Sequence, residues 1–592
     1  MKLSRSSFLN ATIWRSLLTL LFLCATASAQ RSTGTISGRV VGEDGQPIPR
    51  AIVSIIALSG KLEKMMSGRM ALKTDAEGKF EAAGLDTAPY TVVARAPGYL
   101  PAQPLDPANP EYHYLGETVT LVMRKGGVIT GKVTTATGEP VVGVEVSTVS
   151  LNPAAPVTAA FSMDLSSGQI IMRQTDDRGV YRLYGVQPGK YLIVAGATGF
   201  SLGTTSPFMG NVPAYYPGAT RDTATPVSVQ SGEELSGMDI RYRGESGFAI
   251  SGKVTGLATG NTMVAVQSST VVLLKRPGAT EAVAMTIMIP IAGQNSYGFY
   301  GVPNGEYELI ASQVSLGDDN QSAAAPRRVT VNGADLSGID LAMTPLAVIK
   351  GKVVLEKPAD AAAQTAAAKC ANPRESQLDE VVILARKDDP NPKPEIDLAA
   401  LGVSAPAVAD QQGAFTLRGL TTGRYRIAAR FPDASWYLKA LALTPANPAL
   451  SEPARNGLPV KAGDKVNGLV VTAAPGAASL KGVVKPAAGA KLPASLRVFL
   501  VPAEPEAKDD VLRYAEAEAG TSGEFSFASL APGKYWLVAR AVPITETAEK
   551  RPRPVAWDAA ERVKLRKEAE AANAVVELKV CQRLTDFVLP WK

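Results

Sequence analysis

The chain of 592 residues is several times the size of an ordinary domain, so one hydrophobic core is excluded and roughly four to six domains of about 100 residues are expected. Hydrophobic residues at 46%, charged residues at 20%, and 53 Gly with 42 Pro suit short strands separated by many turns, and argue against long helices or disorder. The formal net charge of +6 includes Lys2, Arg5 and Arg15 of the first segment, and gives no electrostatic case for nucleic acid.

Residues 1–29 read as a secretory signal peptide: a basic start, the apolar run Leu17 to Leu23, and Ala27-Ser28-Ala29, with cleavage expected before Gln30. Leu23 stands where a lipidation motif at Cys24 needs a small residue. No later stretch approaches the roughly 20 apolar residues of a membrane-spanning helix, so a secreted or periplasmic envelope protein is expected.

Five copies of one compound pattern follow. Each opens on a strand ending in Gly-x-Val or its variant: TISGRV at Gly38, VITGKV at Gly131, AISGKV at Gly252, VIKGKV at Gly351 and SLKGVV at Gly482. Each then reaches a turn, an alternating strand and a Tyr-led strand, as in DAEGKFEAAGLDTAPYTVVA and DDRGVYRLYGVQPGKYLIVA. Alternation predicts that Phe80, Val180-Tyr181, Phe299, Phe415 and Phe525 face a core, and that Tyr191, Tyr307, Tyr425 and Tyr535 enter central strands after Gly turns. A third landmark closes several copies, as in VSVQSGEELSGMDIRYR. The C-terminal ERVKLRKEAEAANAVVELKV has helical composition. Its repeat register instead predicts two strands, with Val563 and Leu565 on the penultimate one and Val575, Val576 and Leu578 on the last.

Seven or so short strands in each unit describe an antiparallel sandwich. ISGRVVGEDGQPIPRAIVSI with KTDAEGKFEAAGL and YTVVARAPGY resembles the carboxypeptidase regulatory-like domains, transthyretin-like sandwiches related to the collagen-adhesin B-type repeats. The resemblance extends over nearly all of the mature chain. It implies an all-β tandem array of about five antiparallel β-sandwich domains with a transthyretin-like or carbohydrate-binding-like fold. The expected boundaries are 1–29 for the signal peptide, then 30–125, 126–245, 246–345, 346–475 and 476–592, the last with C-terminal strands. Copies 2 and 4 carry insertions around 151–172 and 358–378. Collagen-adhesin repeats can hold an internal Lys–Asn isopeptide bond, but the closing strands MDIRYR, IDLAM and LVVTAA lack the Asn.

Catalytic motifs are sparse. His113 is the single histidine, and neither His-Glu-x-x-His nor Cys-x-x-Cys is present, which argues against a zinc peptidase. The segments GGVITGK at 126–132 and GFAISGK at 247–253 imitate a phosphate loop, yet Val follows each Lys where a hydroxyl is needed. Asp75, Glu77, Asp176, Asp177 and Asp410 read as turn residues rather than calcium ligands. No catalytic residue, cofactor or metal is expected; an enzyme's accessory subunit is a secondary alternative. Cys370 and Cys581 can pair in an oxidising compartment if the fold brings them together, two free thiols being the alternative. Tyr215, Tyr216, Trp436, Tyr437 and Trp557 follow the Tyr-led strands of three copies and are expected as exposed ligand-contact aromatics or as apolar plugs. The functional expectation is an exported, non-catalytic binding or scaffold protein. Its partner would be carbohydrate or an envelope protein, and the particle rigid and elongated. A structural spacer or adhesion stalk is the alternative.

Overall fold

The computed structural model describes residues 33–59, 69–102, 111–151, 163–164, 169–170, 173–196, 207–256, 268–279, 282–288, 295–315, 319–357, 370, 377–390, 406–445, 452–487, 491–542 and 553–591. The expected signal peptide and most of both insertions lie outside them.

The first repeat sets the plan. Its strands are β1 (Gly34–Gly42), β2 (Ile52–Ala57), β3 (Arg69–Lys73), β4 (Lys79–Leu85), β5 (Tyr90–Arg95), β6 (Tyr99–Pro101) and β7 (Thr118–Lys125). They form two sheets, ordered β4-β1-β7-β6 and β3-β2-β5. β1 pairs antiparallel with β4 and parallel with β7. Alternating residues such as Phe80 and Ala82 turn inward to meet Val53, Ile55 and Tyr90 from the opposite sheet. Four further cores of the same kind follow along the chain. In the third repeat the short strand Ser322–Ala324 pairs with both sheets and joins them into one.

The repeated glycine has a steric cause. Each lies opposite an aromatic ring on the neighbouring antiparallel strand: Gly38 with Phe80, Gly131 with Tyr181, Gly252 with Tyr297, Gly351 with Phe415 and Gly482 with Phe525. A Cβ there would run into a carbonyl oxygen of the parallel last strand or its connecting turn, that of Val119, Met238, Ile339, Leu469 or Phe587. Tyr297, rather than Phe299, therefore holds the aromatic position of the third repeat; Phe299 is buried one alternation further on.

Each central strand is also fixed by its leading tyrosine. The hydroxyls of Tyr90, Tyr191, Tyr307, Tyr425 and Tyr535 donate to the carbonyl four residues upstream, at Asp86, Gln187, Pro303, Thr421 and Ala531. The phenol is thus buried without losing its polar partner, which would otherwise cost about 1–3 kcal/mol. Before the alternating strand, Asp75, Asp176 and Asp410 each accept two backbone N–H bonds, from residues two and four positions on. These are self-contained turns.

The C-terminal segment departs from the repeat register. Residues Ala559–Ala572 form a helix, not a strand, with Asp558 accepting from the N–H groups of Ala560 and Glu561 and Asn573 closing it in the left-handed region. Local propensity prevails because the helix has a surface to cover. Leu565 and Ala569 pack on Phe499 and Val501, so the strand Leu496–Pro502 is buried on both faces. Val563 points outward, 56% exposed. Val575, Val576 and Leu578 belong to the penultimate strand, Ala574–Leu578, and the last strand is Arg583–Trp591, parallel to Ala478–Pro486.

The sandwiches do not run out in a line. Tyr112 of the first repeat meets Arg430 of the fourth, ring centroid to guanidinium carbon 5.9 Å. The expected elongated string is corrected accordingly: the chain returns on itself because the first repeat packs on the fourth.

Candidate functional site

Two places bring polar and aromatic side chains together from different repeats. The first is the junction of the fourth and fifth repeats. Asp388, its side chain 1% exposed, accepts from Nε of Arg426 at 2.9 Å and Nε of Arg553 at 2.5 Å. Arg426 also donates to the carbonyls of Ala454, Arg455 and Trp557. Two guanidinium groups lie over the Trp557 ring, Arg386 at 5.0 Å and Arg426 at 5.6 Å from its centroid. Burial pulls both guanidinium groups below their ordinary pKa, an effect that the Asp388 charge opposes at each. Nearby, burial raises the Glu516 carboxyl above the usual range, although it accepts from Val555 N–H. A disulfide joins Cys370 to Cys581, with Cα atoms 5.0 Å apart, across 211 residues of sequence.

The second is a cleft of about 280 Å³ lined by Glu111, Tyr112 and Tyr114 of the first repeat, Ala429, Arg430 and Phe431 of the fourth, and Ser529 of the fifth. The segment carrying the tyrosines is held as an extra rung: Tyr90 and His113 exchange both backbone hydrogen bonds at 2.8 Å. Tyr114 is buried and Tyr112 half-buried. The Tyr112 hydroxyl has no hydrogen-bond partner among the described residues, and burial pushes its pKa up to about 12. Burial raises Tyr114 further, helped by the negative charge of Glu380, a fully buried residue of the fourth repeat.

The five aromatics expected from sequence lie in three repeats, and each is partly exposed. Tyr215 lies on the short strand Ala214–Tyr215 beside Val194 and Ala195, where burial raises its pKa, and Tyr216 packs on the second core. Trp436 and Tyr437 open the strand Trp436–Leu443 and pair with Pro475 and Ala474. Trp557 sits in the 3-10 turn Val555–Trp557, clamped as described. Each keeps only part of its surface in solvent because it follows its central strand into packing against a neighbouring element.

His113 holds Glu117 at 3.2 Å through Nδ1. The two phosphate-loop mimics are first strands, Gly127–Thr134 and Phe248–Thr255. Among the described residues no group of three His, Cys, Asp or Glu is placed to hold a metal ion, and no helix is long and apolar enough to cross a membrane. The one residue singled out from sequence in this region is His113, which stands between Tyr112 and Tyr114 and is not part of the lining. A pair of tyrosines flanking a connector between strands was the signal available.

Residues 35–115 match the carboxypeptidase regulatory-like domain family. No curated protein matches the chain. Among solved structures the chain is similar to the TIE protein of Bacillus anthracis, at 15% identity over 52% of this chain, with a TM-score of 0.14. The alignment spans 51% of that protein, about half its length. It is also similar to a Streptococcal ancillary pilin, at 13% identity, covering 53% of this chain and 100% of that one, with a TM-score of 0.15. A third is BcpA, the major pilin subunit of Bacillus cereus, at 12% identity, covering 52% and 99%, with a TM-score of 0.13.

Proposed function

We propose that this is an exported, non-catalytic scaffold whose β-sandwich repeats hold a binding surface for carbohydrate or an envelope protein. The observation that supports it is the way repeats distant in sequence are fastened to one another: the buried Asp388 ion pairs and the Cys370–Cys581 disulfide fix the fourth repeat to the fifth, while Tyr112 meets Arg430 from the first. Such fastening holds loops from three sandwiches in fixed relation, which lowers the ordering cost of binding. It also favours a binding scaffold over a spacer stalk, since five such domains end to end would reach roughly 170 Å and a returning chain gives up that length.

The test is a panel of polysaccharides, glycans and envelope proteins presented to purified 30–592, with peptidase and glycosidase assays alongside. Saturable binding without turnover is the expected result. Turnover of any bound glycan or peptide would overturn the non-catalytic reading, and absence of binding across the panel would move the assignment to a spacer.

A further inference from the structure

We infer that the cleft between the first, fourth and fifth repeats is a binding site for a single sugar ring of a glycan. The inference rests on the scaffold reading above and names the ligand class and the place. Its argument starts from size. A volume of about 280 Å³ lies at the lower limit of pockets for drug-sized ligands, roughly 300 Å³. One six-membered ring with its substituents suits that space, and a folded peptide does not.

Chemistry narrows the ring further. The aromatic lining comes from Tyr112, Tyr114 and Phe431, and flat rings stack on the C–H face of a pyranose with little loss of side-chain freedom. Around them stand a carboxylate at Glu111, a guanidinium at Arg430 and a hydroxyl at Ser529. A sugar hydroxyl both donates and accepts, so it uses an acceptor and a donor placed side by side. A purely aromatic or aliphatic ligand would leave this mixed rim unused, and an anion would meet Glu111. The exposed Glu111 carboxylate and Ser529 hydroxyl are the groups of the lining open to a ligand, whereas the Tyr112 hydroxyl is buried beneath them.

Position is the third argument. No single sandwich owns the cleft: two tyrosines come from the first repeat, Arg430 and Phe431 from the fourth and Ser529 from the fifth. A bound ring therefore favours the packed arrangement of these repeats by whatever affinity the site has for it.

The experiment uses the full mature chain and those glycans of the panel that bind it. A Tyr112→Ala, Phe431→Ala variant should bind at least tenfold more weakly, and Trp436→Ala, Tyr437→Ala within twofold of the parent. Glu111→Gln, which keeps the side chain's size and removes only the charge of an exposed lining group, guards against misfolding: it should retain the parent's far-ultraviolet circular dichroism and still bind a fewfold more weakly. Glycan binding that survives in the first variant and in Glu111→Gln overturns the cleft while leaving the carbohydrate reading intact. Failure of the parent to bind any glycan overturns both.

Discussion

The junction between the second and third repeats and that between the fourth and fifth are built on different principles. At the former, Arg276 reaches Asp222 at 2.7 Å in a pair whose side chains are 33% and 67% exposed, and the backbone N–H of Gly247 donates to Gly210. At the latter, a carboxylate buried to 1% exposure takes two guanidinium groups, a tryptophan ring meets two arginines and a disulfide closes the joint. An exposed pair is screened by water and salt and couples its neighbours weakly. A buried ion pair couples strongly because neither partner can be left behind. The two joints thus differ in where their charges sit, in water at the one and buried at the other.

The sharpest way to break that contrast is Asp388→Ala, which leaves Arg426 and Arg553 crowded at the joint without their shared counter-charge. The expected cost is about 3–5 kcal/mol. Hydrogen exchange should show it as joint loss of protection in strands of both the fourth and fifth repeats, with the second and third unchanged. Loss confined to the fourth repeat would mean that the two do not unfold as a unit.

Next in size is the disulfide. Cys370→Ser with Cys581→Ser, or reduction of the parent, should lower stability by about 2–4 kcal/mol. Denaturant midpoints of the fourth and fifth repeats measured with and without reductant check this. An unchanged midpoint would assign the whole coupling to the charged clamp.

Most of the fold was readable because its determinants are local. A glycine under an aromatic ring, a tyrosine bonding four residues back and an Asp turn each leave a short signature that recurs, and five recurrences fix an architecture. The C-terminal helix was misread where two levels of organisation disagree. Its Ala, Glu, Lys and Arg content favoured helix, repeat register favoured strand, and the deciding fact was the second apolar face of Leu496–Pro502. The cleft as an assembly was not readable, although its tyrosine pair was. Tyr112, Arg430 and Ser529 are brought together only by the packing of three repeats, and no periodicity within one repeat encodes that.

A smaller effect sharpens the comparison within single sandwiches. The second and third repeats carry Tyr181 and Tyr297 where the others carry Phe, and their hydroxyls donate at 2.5 Å to the carbonyls of Met238 and Ile339. In the second repeat the parallel strand is broken into Glu234–Leu235 and Ile240–Arg241, so the Met238 carbonyl lies between strand segments and the tyrosine supplies its donor. Tyr181→Phe should therefore destabilise the second repeat by about 1–2 kcal/mol. Phe415→Tyr in the fourth, where Lys465–Pro475 is continuous, should gain nothing. Equal effects in both repeats, measured by local hydrogen exchange, would remove the broken strand as the reason for the tyrosine.

The smallest effect belongs to Asp222→Ala, and it tests the exposed ion pair directly. Its carboxylate is mostly in water, so the pair with Arg276 contributes about 0–1 kcal/mol and weakens as salt rises. Unfolding of the second and third repeats should shift by no more than that at low ionic strength and by nothing measurable in 1 M salt. A loss comparable to that of Asp388→Ala would show that exposure does not govern how these repeats are coupled; a salt-sensitive loss of a few tenths would confirm that burial of the carboxylate is what separates the two joints.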